Sequence, residues 1–220
     1  MANILCIETA TTNCSVALSV DGSVIAFRED NSKSYSHAER LHVFISEILE
    51  EAKKRDTDIQ AVAVSKGPGS YTGLRIGVSA AKGLCFAWDL PLISVATLHT
   101  LALQVEDKVD FKVPMLDARR MEVYSAVFSS EMEVVRETLA EIVDSQSFSE
   151  FLEKGKVTFI GSGVEKFQSV CEHPNARFIP DALPSAKQMA ALAENSFNTS
   201  NFEDVAYFEP YYLKDFIAGS

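Results

Sequence analysis

The sequence predicts an α/β protein in which one mixed sheet with its helices is built twice. Three observations carry this. Short apolar runs end in an acid at Glu8 and again at Asp117. A strand–turn–hairpin pattern runs from Ile7-Glu8 to Arg28-Glu29 and returns, one residue shorter, from Leu116-Asp117 to Arg136-Glu137. A Gly-containing turn precedes a helix in both halves, at 66–73 and at 161–163. Repetition of element order of this kind decides a fold before single residues do.

The elements follow from local pattern. Asn3–Glu8, Cys14–Val20 and Ser23–Glu29 are apolar or alternating runs, and Asp21-Gly22 is a two-residue hairpin signal. Ser36-His-Ala-Glu39 has the form of a capping box. It opens a helix whose Ala38, Leu41, Ile45, Ile48, Leu49 and Ala52 share a face, leaving Val43 and Phe44 off the stripe. Strand 59–65, helix 74–88, strand 92–96 and helix 97–106 complete a βββαβαβα half. The second half gives strand 111–117, a hairpin over 121–129 and 131–139, helix 147–154, strand 156–160, helix 164–171, strand 176–180 and an Ala-rich helix 185–197. Three meandering strands followed by alternating helices and strands make a mixed five-stranded sheet. Two copies give the duplicated ribonuclease-H-like architecture of actin and sugar kinases. The expected lobes are residues 1–105 and 106–220.

Composition narrows the function. The 220 residues carry a formal net charge of −11, with 47 % hydrophobic and 23 % charged side chains. That is a folded chain. Its acidity counts against gripping nucleic acid unaided, since phosphate binding needs clustered Lys and Arg. The charge is uneven: net −2 over 1–105 and −9 over 106–220. The second half is therefore the poorer candidate for RNA contact. Cys6, Cys14, Cys85 and Cys171 lie far apart without C-x-x-C, so they read as reduced, buried thiols. MANILCIETA has neither a basic n-region nor a long apolar run, and the stretch 74–88 is broken by Arg75 and Lys82. A cytoplasmic protein without a membrane span is expected.

The richest motif is Lys66-Gly-Pro-Gly-Ser-Tyr-Thr-Gly-Leu-Arg75. Its glycines could offer backbone N–H groups to an anion. It nevertheless fails both phosphate fingerprints: Gly73 is followed by Leu-Arg, and the spacing is G-x-G-x-x-x-G. A structural turn is the simpler assignment. The helix after it is apolar nearly all round, with small residues at Gly77, Ala80, Ala81 and Gly83, so it needs a cover besides its own sheet. His37 and His42 stand about 140° apart on a helix, unlike an H-x-x-x-H metal pair, and Leu41 takes the place of a second ligand. Glu8 and Asp117 end equivalent strands, but the turns Glu8-Thr-Ala-Thr-Thr and Asp117-Ala-Arg-Arg lack the glycine that lets a backbone approach phosphate. No G-x-S-x-G nucleophile is present. The tail Glu209-Pro-Tyr-Tyr-Leu-Lys-Asp-Phe216 is apolar enough to dock on something.

Together these segments resemble the bacterial TsaB (YeaZ) family. Gly67-Pro-Gly-Ser-Tyr-Thr-Gly-Leu-Arg-Ile-Gly77 is similar to its GPGSFTGLRIG signature, with Tyr71 for Phe. Ile4-Leu-Cys-Ile-Glu-Thr9 resembles its ILxIDTS strand, with Glu8 for Asp. Ser36–Leu41, Asp117-Ala-Arg-Arg120 and Pro210–Lys214 are similar to its HSERL, DARR and PxYLR segments. The resemblance implies an actin-like ASKHA fold with a reduced second lobe. It implies a non-catalytic subunit that activates the paralogue TsaD, with the ATPase TsaE, in threonylcarbamoylation of the adenosine beside the anticodon of tRNAs reading ANN codons. It further implies a homodimer in TsaD's absence, tRNA met only through the complex, and no metal or cofactor of its own; whether the complex interface takes a nucleotide is left open by the sequence. The first two helices are the implied docking surface. Helical geometry then nominates His37, Leu41, Phe44, Arg75, Val78 and Lys82 as contacts, and a charge at Val78 is expected to break pairing and spare the fold. Pro68, Gly69, Ser70, Tyr71 and Gly73 would shape the loop. Glu8, Thr9, Thr11 and Asp117 would mark a degraded nucleotide cleft. The rival expectations are a nucleotide-binding regulator or weak ATPase, a glycoprotease-like peptidase, and a sugar or acetate kinase.

Overall fold

The computed structural model describes residues 2–32 and 37–214. Ser36 of the expected capping box and the last two residues of the 209–216 tail lie outside them. The first sheet is built from β1 (Asn3–Glu8), β2 (Cys14–Val20), β3 (Ser23–Asp30), β4 (Ala61–Gly67) and β5 (Leu92–Ala96), with helices α1 (His37–Lys54), α2 (Tyr71–Trp88) and α3 (Thr97–Ala102) between and after them. The second contains β6 (Phe111–Asp117), β7 (Glu122–Ser129), β8 (Val134–Ile142), β9 (Val157–Gly161) and β10 (Ala176–Pro180), with α4 (Ser149–Leu152) and α5 (Val164–Gln168). Helix α6 (Ala186–Asn198) follows. The strand orders are β3-β2-β1-β4-β5 and β10-β9-β6-β7-β8, the same path traced twice. This is the duplicated actin-like, ribonuclease-H-like α/β fold that the repeated element order predicts. Among the described residues no helix is long and apolar enough to cross a membrane.

In the first unit alternation along the strands sorts side chains onto two faces. Leu5, Ile7, Val62 and Val64 face α1 and α2, where Leu41, Ile45, Ile48, Val78 and Ala81 meet them. Their neighbours Ile4, Cys6, Ala61 and Ala63 face the other way, against Ala186, Met189 and Ala193. Small residues on both sides of that second layer let α6 lie close to the strands. Ser185 caps it, accepting from Lys187 N, and Ser15 Oγ accepts from Ala186 N at 2.9 Å. Asn13 Nδ2 donates to the Pro184 carbonyl at 2.9 Å, fixing the entry to the helix.

This corrects the expected boundaries. The chain divides into residues 1–100 with 184–220, and 101–183. The Ala-rich helix belongs to the first unit because it supplies the missing cover for that sheet. The second unit is reduced: α4 and α5 are four and five residues long, against 18 each for α1 and α2. Its core leans on aromatic packing instead, with Phe148, Phe159 and Phe167 within 5.4 Å of one another by ring centroids. Arg136 stacks over Phe148 at 4.5 Å while pairing with Glu141. All four cysteines are free and buried. A chain cut after Leu183 is expected to lose the fold of the first unit and keep that of the second. Hydrogen exchange checks this: amides of β1 and β4 should lose protection, while those of β6 and β9 keep theirs.

Candidate functional site

Local chemistry sets the launch of α2. Ser70 is its N-cap, accepting from Gly73 N at 3.2 Å. Gly67 sits at φ +108°, a conformation open to glycine, and precedes a cis bond to Pro68. The remaining glycines are there for proximity. Gly69, Gly73 and Gly77 recur every fourth residue and form one line. A Cβ on them would stand 2.3 Å from Ala10 O, 2.2 Å from Thr9 O and 2.2 Å from Thr9 Oγ1 respectively. The turn after β1 therefore lies in the groove that these glycines open. It is bonded there as well. Ser70 N donates to Ala10 O at 2.6 Å, and Thr9 Oγ1 donates to Gly73 O at 2.8 Å. From the other side His37 Nε2 reaches Thr11 O at 2.6 Å. A carbonyl only accepts, so Nε2 carries the proton. Burial lowers the His37 pKa, which keeps the ring neutral.

Glu8 is the unusual group. It is wholly buried, its Oε1 accepts from Ala10 N at 2.6 Å, and its Oε2 has no hydrogen-bond partner among the described residues. Burial pushes its pKa up to about 7, and the Ala10 N–H and the nearby Ser65 hydroxyl offset only part of that. The Cys14 thiol, which feels the Glu8 charge, is itself pushed up to about 12 by burial and stays protonated.

The signature loop and the candidate cleft residues of the first half thus form one assembly: Glu8, Thr9 and Thr11 on the turn, Gly69, Ser70 and Gly73 on the loop. Asp117 belongs to the second unit, where it is exposed and pairs with Lys166 at 3.0 Å. Among the described residues no three His, Cys, Asp or Glu side chains are grouped to hold a metal ion.

The six nominated contact residues fall differently from expectation. His37, Leu41, Phe44 and Val78 are buried in the first unit's own core. Val78 is only 4 % exposed, so a charge there would strike the core as well as any interface. Arg75 and Lys82 are spent on the chain's own tail. Arg75 Nε donates to Tyr212 Oη at 3.3 Å and its guanidinium lies 4.2 Å from the centre of the Tyr71 ring, which in turn packs 4.9 Å from Tyr212. Lys82 Nζ donates to the carbonyls of Ala206 and Phe208 at 3.1 and 3.0 Å. Tyr211 N donates to Lys66 O at 2.7 Å, and Val205 and Phe208 pack on the core. The tail is the cover for one flank of α2.

The outward face of the helix pair carries other residues. Val43 is 47 % exposed on α1, beside His42 and Ser46. On α2 the row runs through Thr72, Ser79, Gly83, Phe86 and Ala87, with Phe86 86 % exposed. A Cβ on Gly83 would meet nothing within 4 Å. Val43 was legible as an off-stripe residue. Phe86 escaped because an all-round apolar helix does not reveal which side its sheet takes.

Two outcomes are expected at this assembly. Gly73→Ala should cost about 1–3 kcal/mol, because a Cβ is forced against backbone that is itself bonded; chemical denaturation measures it. Glu8→Gln should help most at high pH. A carboxyl raised from 4.5 to about 7 binds its proton more tightly when folded, so wild-type stability falls as pH rises through that window. Relative to wild type the variant should gain up to about 3 kcal/mol between pH 4.5 and pH 8, read as the difference in denaturation midpoints.

Comparison with known proteins bears on all of this. The family model "TsaD: tRNA N6-adenosine threonylcarbamoyltransferase" matches residues 31–219. The tRNA threonylcarbamoyladenosine biosynthesis protein TsaB of Escherichia coli is 32 % identical, covering 98 % of this chain and 96 % of that protein. Its namesake from Haemophilus influenzae is 30 % identical over 96 % and 93 %. The solved structure of YeaZ from Pseudomonas aeruginosa superposes with a TM-score of 0.80 at 25 % identity, over 97 % of this chain and all of that one. With a relative this similar along nearly the whole length, and with the signature loop folded as a packing device, the chain belongs to the TsaB family of tRNA threonylcarbamoyladenosine biosynthesis proteins.

Proposed function

We propose that this chain is a non-catalytic scaffold and activator in tRNA threonylcarbamoyladenosine formation. It pairs with the transferase paralogue TsaD, joined by the ATPase TsaE, and tRNA meets it only within that complex. The reaction served is threonylcarbamoylation of the adenosine beside the anticodon in tRNAs reading ANN codons. Without TsaD the same face closes on a second copy.

The observation that carries this reading is the outward face of α2. Gly83, Phe86 and Ala87 leave small and apolar surface without a cover from the chain's own sheet, and Gly83 has open space around it. Small residues let a second helix approach closely, and an exposed aromatic beside them supplies an anchor. The turn after β1 supports the same reading. Its Ala10 carbonyl and Thr9 hydroxyl are bonded to the start of α2, and its backbone fills the glycine groove. A nucleotide regulator would need that turn for phosphate. Leu41, wholly buried, stands where a second metal-binding His would be needed for the transferase's own chemistry.

Gly83→Arg and Phe86→Asp are the variants that isolate the face, since both positions are exposed. Each is expected to fold normally, with Gly83→Arg gaining a few tenths to 1 kcal/mol from helix propensity. Each should lose the heterodimer with TsaD in native mass spectrometry. Heterodimer formation at wild-type affinity by both would remove α2 from the interface.

A further inference from the structure

The β6–β7 turn holds two arginines in a place where turn chemistry would not put them. Arg119 and Arg120 have φ of +72° and +49°, the left-handed region in which non-glycine residues are uncommon. The chain knows the ordinary solution. At the β2–β3 hairpin, where two consecutive left-handed residues are also needed, it uses Asp21 and Gly22, at φ +51° and +73°. Local preference is overridden at 119 and 120, as it is at Met132 and Phe148 elsewhere in the unit, and what sets the arginine pair apart is what its side chains do.

The surroundings brace the backbone and leave the side chains out. Asp117 Oδ1 accepts from Arg119 N at 2.6 Å, and Glu122 N donates to Arg119 O at 3.1 Å. Lys166 Nζ pairs with Asp117 at 3.0 Å and donates to Glu122 O at 2.9 Å, so the carboxylate under the turn is already neutralised. The unit's other two arginines are paired with carboxylates, Arg136 with Glu141 and Arg177 with Asp107. Arg119 and Arg120 are both exposed, and neither has an ion pair among the described residues. In an acidic unit with carboxylates to spare, two adjacent unpaired guanidiniums on a rigid turn are a presented group.

We propose that the Arg119–Arg120 turn is a phosphate contact for the tRNA backbone in the assembled complex. Guanidinium forks match phosphate oxygens two at a time, which a lysine does not. The net charge of −11 gives the chain no general attraction for RNA, so its contact is local and the other subunits supply the rest. The inference rests on the reading that the chain works inside a tRNA-modifying complex. It also revises the expectation that the acidic second half stays away from RNA.

Arg119→Asn with Arg120→Gly tests it, because this pair restores ordinary turn chemistry. The complex of this chain with TsaD and TsaE is assembled with wild type and variant and checked by native mass spectrometry. It is then titrated with an unmodified tRNA transcript reading an ANN codon, from 50 to 200 mM salt. The expected result is an intact complex, a Tm at or above wild type, and roughly tenfold weaker tRNA binding with a salt slope shallower by about one to two. Arg119→Lys with Arg120→Lys should keep most of the slope and still lose affinity. Unchanged affinity and slope in an intact variant complex would overturn the proposal. So would a variant that fails to assemble, which would assign the arginines to a partner's carboxylates. Failure of the wild-type chain to assemble would appear first, in the mass spectrum, and would overturn the pairing reading along with this one.

Discussion

The first unit depends on one close approach: the backbone of Thr9 and Ala10 laid into the groove of Gly69, Gly73 and Gly77. No side chain larger than hydrogen fits at those three positions, and the groove exists because they repeat every fourth residue. From this contact follow the direction of α2, the burial of Glu8 beneath the turn, and the neutral His37 that clasps Thr11 from α1. It also fixes which face of α2 looks outward. The packing costs the unit an ionisable carboxyl in a buried place. Burial near pH 7 leaves that carboxyl divided between its two forms.

The turn after β1 has no glycine of its own; the glycines stand on the opposing loop and helix, and the turn is the guest in their groove. Its backbone is spent on packing within the unit. The tail completes it. By taking up Arg75 and Lys82, residues 205–212 remove two cations from α2 and leave its outward row nearly uncharged. Small and apolar residues on an uncharged row suit a helix partner better than a solvated surface.

Much of the fold was legible because its signals are local. Acid-ended strands, the Asp21-Gly22 hairpin and the helix after Gly73 depend on neighbours in sequence, and the structure keeps them within a few residues. What was not legible is long-range. Nothing in Ala186–Asn198 says which sheet it covers; the answer lies in Ala61 and Ala63, more than 120 positions earlier, whose small size makes room for it. The interface nominations suffered from the same cause. Val78 and Phe86 are both apolar residues on one helix, and only the position of the sheet decides that one is core and the other surface. Arg119 and Arg120 were visible as letters of a motif. Their left-handed backbone, and the lack of an ion pair for either among the described residues, are properties of the folded hairpin alone.

The return of α6 to the first sheet makes that unit discontinuous, with 101–183 as an insert. On the ribosome, β1 to β5 emerge with one face of the sheet bare. That face waits for α6 while about 100 residues are translated, roughly 5–20 s at ordinary elongation rates. The insert can fold during the wait, but the sheet that carries α1 and α2 keeps one face uncovered until the chain has come back. The sheet beneath the two long helices thus depends on a helix translated long after them, and a chain interrupted before α6 would leave that sheet half covered.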